Sequence, residues 1–234
     1  MLKKISLILA LSLMLAVPAF AKDAPDKTVV QVSGSSQKEV IPDIARINVS
    51  INTVNANLEQ AKDENTQKLD KVLAALKDQG VTDKQIKTDT YQVDPIYNYE
   101  KDKLPTLKGY RITNRLEITE AVEKVGILVN EVTRAGANEI NSIRFETLNE
   151  KEFKNDALQE AVKDALKKAD VIAGALNKKI SNVKLVNESG VFYNPIMLEA
   201  RTFKAVNSDA AAPNLPMGKV TVGANVQVTV ELGD

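Results

Sequence analysis

Asp43–Val54, DIARINVSINTV, decides how this chain folds. Ala45, Ile47, Val49 and Ile51 fall on one side of an extended backbone, and Arg46, Asn48, Ser50 and Asn52 fall on the other. Successive side chains of a strand point to opposite faces, so the stretch reads as a half-buried antiparallel strand with one solvated face. Pro42 just before it suits a strand entrance. Upstream, Thr28–Gly34 (TVVQVSG) alternates in the same way and ends in glycine.

Downstream the period changes to that of a helix. Asn57 is placed to cap it, with Gln60 as the reciprocal partner, and Leu58, Ala61, Asn65, Leu69, Val72, Leu73 and Leu76 form its stripe before Gly80. Ile86–Glu100 returns to period two, with Tyr91, Val93, Pro95, Tyr97 and Tyr99 on one face and Pro95 requiring an edge or a bulge. Across the charged loop Lys101–Lys103, Gly109–Thr119 places Tyr110, Ile112, Asn114, Leu116 and Ile118 inward and Arg111, Thr113, Arg115 and Glu117 outward. The two segments predict a long hairpin.

A second helix is expected from Glu120 to Ala135, then a strand over Ile140–Thr147. A third begins at Asn149 with Glu152 completing a capping box, and buries Phe153, Ala157, Ala161, Ala165, Ile172 and Leu176. Its acidic and basic residues, Glu160, Lys163, Asp164, Lys167, Lys168 and Asp170, read as an exposed, mutually paired face. Val183–Glu188 reads as a short strand, Ser189–Pro216 as a long aperiodic loop, and Lys219–Leu232 as an alternating closing strand. Three helix-turn-strand units in succession predict an α+β fold, antiparallel sheet with three main helices packed on its apolar face.

The ends and the composition bound the function. Residues 1–21 carry Lys3 and Lys4, an apolar run from Ile5 to Val17, Pro18, and the small-x-small sequence Ala19-Phe20-Ala21. They are expected to be a signal peptide cleaved after Ala21, followed by a polar spacer at 22–27 and a domain over 28–234. The expected destination is the periplasm or the cell surface, with no membrane span after cleavage. Removing Lys3 and Lys4 from the 31 basic residues leaves 29 against 31 acidic ones, a net of −2. That balance argues against a nucleic-acid partner. The 234 residues include neither Cys nor His, which excludes thiolate chemistry, a Ser-His-Asp triad and imidazole metal sites. No cofactor, metal or catalytic set is expected.

Six residues stand out as a ligand or interface group. Tyr91, Tyr97, Tyr99 and Tyr110 could stack on a sugar or peptide, or pack at a hairpin edge or against a second subunit. Arg111 and Arg115 share a face with Glu117, near which Arg46 is expected; the row could receive an anion, and cross-strand pairing is the plainer reading. Asp43, Asp89 and Asp94 follow no calcium-loop spacing, and Val32-Ser33-Gly34-Ser35 lacks the nucleophile-elbow pattern.

The stretches VQVSGSSQKEVIPDIARINVSI, LDKVLAALKDQGVTDKQIKTDTYQVDPIYNYE, GYRITNRLEIT, VGILVNEVTRAGANEINSIRFET, DALQEAVKDALKKADVIAGAL and GKVTVGANVQVTVEL, in this order, resemble the SIMPL family, also called DUF541 or YggE-like. The resemblance covers about Thr28–Leu232 and implies an exported α+β protein with no established catalytic residues. Some members are surface antigens, some are tied to oxidative-stress tolerance, and at least one is similar to a ring-like homo-oligomer. Asn177-Lys178-Lys179 stands where a glycine turn would be expected. The resulting expectation is a non-enzymatic envelope protein that acts as a homo-oligomer or through an envelope protein partner. The alternative is a module binding an envelope saccharide or peptide through the tyrosine hairpin and the 189–216 loop.

Overall fold

The computed structural model describes residues 27–199 and 217–234. The expected signal segment, its cleavage point and residues 200–216 of the expected loop lie outside them. Strands β1 (Val29–Val40) and β2 (Ile44–Asn55) are followed by helix α1 (Leu58–Asp78) and the hairpin β3 (Ile86–Asn98) and β4 (Thr106–Ala121). Then come α2 (Val125–Ala135), β5 (Glu139–Glu146), α3 (Glu150–Ala175), β6 (Lys179–Asn194), β7 (Ile196–Glu199) and β8 (Val220–Gly233). The strands pair antiparallel in two sheets, of order β3-β4-β2-β5-β7 and β1-β8-β6. The fold is α+β, with each sheet covered by helix on its apolar face.

The deciding stretch becomes the central strand of the larger sheet. Ala45, Ile47, Val49 and Ile51 are fully buried and meet Val72 and Leu76 of α1 and Leu128, Val129 and Val132 of α2 in one core. Asn65, inside the apolar stripe of α1, earns its place by hydrogen bonding: its amide donates to the Ile51 carbonyl at 2.9 Å. The Asn57 cap forms, its side chain accepting from the amides of Glu59 and Gln60. The expected return bond from Gln60 is replaced, because the Asn57 amide donates to Asn55 Oδ1. Nor does Asn149 cap α3; its amide donates instead to Thr147 Oγ1 at 3.2 Å. The second helix starts at Val125 rather than Glu120, because β4 pairs with β2 as far as Ala121.

The expected loop at 189–216 needs correction over 189–199. The short strand and the start of that loop are one 16-residue strand, β6, followed after Pro195 by β7, which adds to β5. Register shifts at Ile180/Asn182, Val183/Leu185 and Glu188/Gly190 explain the misreading. Each bulge inserts a residue and swaps the faces, so alternation along the sequence disappears while the pairing with β8 continues. After α3, Asn177 adopts a φ of 52°, filling the left-handed turn position where a glycine was expected.

The second core is built from small side chains. Ala157, Ala161, Ala165, Ala169 and Ala173, each four residues apart, lay α3 on Val222, Ala224, Val226, Val228 and Val230 of β8. On β1 the helix meets Gly34, where a Cβ would lie 2.0 Å from the Ala161 carbonyl oxygen and 2.7 Å from Ala165 Cβ. Only a residue without a side chain permits that approach.

The chain passes between the sheets at 41–43, 147–149 and 195, and hydrogen bonds tie these crossings together. Asp43 accepts from the Leu148 amide at 2.9 Å and from Thr147 Oγ1 at 3.3 Å. The buried Thr147 amide donates to the Tyr193 hydroxyl at 2.9 Å, so the end of β6 holds the start of the α3 turn.

Two substitutions test these contacts. Gly34→Ala should lower stability by about 1–3 kcal/mol, since α3 must lift off the sheet to admit the methyl group. Tyr193→Phe should cost about 1–3 kcal/mol by leaving the Thr147 amide buried without its acceptor. Both are read as lower urea midpoints with unchanged slope.

Candidate functional site

The tyrosine-bearing hairpin outgrows its sheet. β2 accompanies β4 only to the pair Asn55–Tyr110, while β3 and β4 stay paired to Asn98–Thr106. Beyond Tyr110 the hairpin is a two-stranded ribbon carrying exposed apolar groups. Tyr97 and Tyr99 place their rings 6.4 Å apart at 59°, with the half-exposed Leu107 opposite Tyr97 in register and Leu104, 87% exposed, in the turn between the two strands. These apolar groups are bare to solvent and belong to neither core cluster.

The four tyrosines do not converge. Tyr91 and Tyr97 share a face of β3, but six residues of strand separate them by about 20 Å. Tyr91 pairs with Asn114 near the Lys62 end of α1, and Tyr110, half buried, sits opposite Pro95 and Asn55. Only Tyr97 and Tyr99 are brought into ring contact. Together they can grip one apolar or aromatic group of a partner.

The arginine row is found on the solvated face, and its partners are already there. Arg46 contacts Glu146 at 2.7 Å through Nε and Glu117 at 3.2 Å through Nη1. Directly opposite Arg46 on β5 is Arg144, whose Nε lies 2.6 Å from Glu146 Oε1. That N–H is not aimed at the oxygen, so the contact is ion pairing and not a hydrogen bond. Glu146, followed by its burial cost and then Glu117, sets the balance that raises the Arg46 pKa. Two like charges facing each other across strands are thus neutralised by two glutamates. Arg115 is loosely held by Ser50 at 3.4 Å and Asp89 at 3.9 Å, and Arg111 lies opposite Asp94 in register. This is a paired polar face.

Asp43, Asp89 and Asp94 take separate roles: Asp43 at the crossing, Asp89 beside Arg115, and Asp94 accepting from Gln92 at 2.8 Å. Among the described residues no three or more carboxylates gather as metal ligands. Sequence reading missed Arg144 and Glu146, whose strand was recognised without its partners. The signal was available only through register, because pairing Arg46 with Arg144 is what assembles the group.

The matching family, SIMPL, is described as a protein of unknown function (DUF541), and it covers residues 30–230. The chain belongs to the SIMPL family. This SIMPL chain is 27% identical to the 26 kDa periplasmic immunogenic protein of Brucella melitensis biotype 1 over 223 residues, 92% of this chain and 89% of the relative. It is 25% identical to the uncharacterized protein YggE of Escherichia coli K12 over 192 residues, 80% and 78% of the two chains. A YggE protein of Edwardsiella ictaluri is 27% identical over 172 residues, 71% and 72% of the two chains.

The smaller sheet of this SIMPL chain carries one more charged group that sequence reading passed over. Glu231 of β8, 2% exposed, is bracketed by Lys27 and by Lys184 at 2.6 Å. Hydrogen bonds from Lys184 and then Lys27 hold its carboxyl below the ordinary value of 4.5. A depressed pKa contributes stability that is present above about 4.5 and lost as pH falls through the folded value. Glu231→Gln should therefore lower the urea midpoint at neutral pH, and the two proteins should converge in acid. A constant gap across that range would refute the assignment.

Proposed function

We propose that this protein is an exported, non-enzymatic envelope protein that works through contact surfaces, the β3–β4 ribbon being the surface for self-association. The observation that carries the reading is the exposed group Tyr97, Tyr99, Leu104 and Leu107 on a ribbon that no other element covers among the described residues. Aromatic and apolar side chains in such a position lose water on contact with a partner and supply most of an interface's binding energy. A second copy brings the same group, so an isologous contact is self-complementary. The pairing of Arg46 and Arg144 with Glu117 and Glu146 supports the reading from the other side, since their charges are already answered on the solvated face. The basic and apolar character of residues 1–21 and the word periplasmic in the name of the Brucella relative support an envelope location.

Light scattering coupled to size exclusion, on protein beginning at Lys22, tests this. The expected mass is a multiple of the subunit, falling when Tyr97 and Tyr99 are both replaced by Ser. A strictly monomeric wild type at micromolar concentration would sink the assembly reading. The tilted Tyr97–Tyr99 pair also suits stacking on a saccharide or peptide, the alternative function. Saccharide or peptide binding by a monomer, abolished by the same double replacement, would favour that alternative.

A further inference from the structure

The three-stranded sheet has two edges, and they are treated differently. β6 is interrupted by three register shifts, which twist an edge and spoil it as a template. β1 has none: it pairs with β8 from Val29–Glu231 to Val40–Val220 without a shift. A regular 12-residue edge is what an incoming strand can use.

The outward backbone of β1 is nevertheless occupied. Lys168 Nζ donates to the Ser33 carbonyl at 3.0 Å, and the Ser35 amide donates to Asp164 Oδ2 at 2.9 Å. The two side chains hold one another at 2.6 Å, one turn apart on α3. They form the exposed i,i+4 pair read from the sequence and, beyond that reading, reach the backbone of β1. Each immediately precedes a buried alanine, Ala165 or Ala169, and the close approach at Gly34 brings them within reach of the strand. Ser33 O and Ser35 N bracket Gly34, and an antiparallel partner would need both. Between the edge and the helix runs a groove of about 500 Å³ lined by Val32, Ser33, Asp164, Lys168, Val171 and Ile172.

We propose that the outer edge of β1 is a strand-addition surface held closed by the Asp164–Lys168 pair, and that its occupant, once the pair is removed, is the same edge of a second copy. Among the edges of this sheet, β1 alone matches such an edge in length and regularity, and two copies related by a two-fold axis would continue one antiparallel sheet. The pair is thus an autoinhibitory contact, separate from the ribbon at Tyr97 and Tyr99.

The test compares masses by light scattering over a micromolar concentration series in a Tyr97→Ser/Tyr99→Ser background, which removes the ribbon's contribution. Two guard variants are used: Asp164→Ala/Lys168→Ala, and the exchanged pair Asp164→Lys/Lys168→Asp. The exchange keeps an ion pair on the helix but presents a donor to the Ser35 amide and an acceptor to the Ser33 carbonyl. Both variants should show about a twofold rise in mass over the guarded protein, with the Ser35 amide exchanging at least tenfold faster in dilute, monomeric samples (~1.4 kcal/mol per tenfold). Circular dichroism checks the fold. Should the alanine variant fail to fold, Lys168→Met, which keeps the packing but cannot donate, takes its place. Unchanged mass in either guard variant overturns the proposal.

Discussion

The contact between Gly34 and the alanine stripe of α3 sets the geometry of half of this protein. A helix faced with leucine would stand about 10 Å from a sheet, as ordinary packed layers do. Here five alanines and one glycine let the helix sink until a single methyl group at position 34 would strike the Ala161 carbonyl. The larger apolar residues Leu158, Val162 and Leu166 are displaced to the flank, where they remain partly buried. Side chains that would otherwise extend into water, Asp164 and Lys168, are carried down to the strand edge. A choice of small residues for packing thereby determines which polar groups can meet.

The larger sheet depends on a different device. β2 is central, buried on one face and ion-paired on the other, and its two neighbours supply the glutamates that let Arg46 and Arg144 face one another. The two cores share none of their apolar residues and are joined by polar bonds at the crossings, with Asp43, Thr147 and Tyr193 as the connecting groups. Polar connections of this kind fix direction, because each bond must be met by a particular partner. The exposed ribbon and the edge of β1 belong to different sheets, so the two surfaces are separate in the fold.

The sequence was most legible where one face is wet and any inserted residue lies on the partner strand, as with β2 against β5 and β8 against β6. Ala45, Ile47, Val49 and Ile51 were assigned to the core from alternation alone, and β8 was read from Val220, Val222, Val226, Val228 and Val230 in the same way. It was least legible in β6, where three inserted residues reverse the faces, and at the helix starts, where Asn55 and Thr147 took the bonds expected of Gln60 and Glu152. The tyrosines lay on the hairpin as read, but their separation along β3 limits ring contact to Tyr97 and Tyr99.

By itself the sequence determined the family, the α+β class, the half-buried strand with one wet face at 44–55 and the absence of Cys and His. These follow from residue identity and from short-range period, which act within a few residues. Only the tertiary structure decided that Arg144 and Glu146 join Arg46, that Asp164 and Lys168 close the edge of β1, and that Tyr193 holds Thr147. Each of those pairs is separated by 46 to 135 positions, and partners so far apart are chosen by strand register and layer spacing.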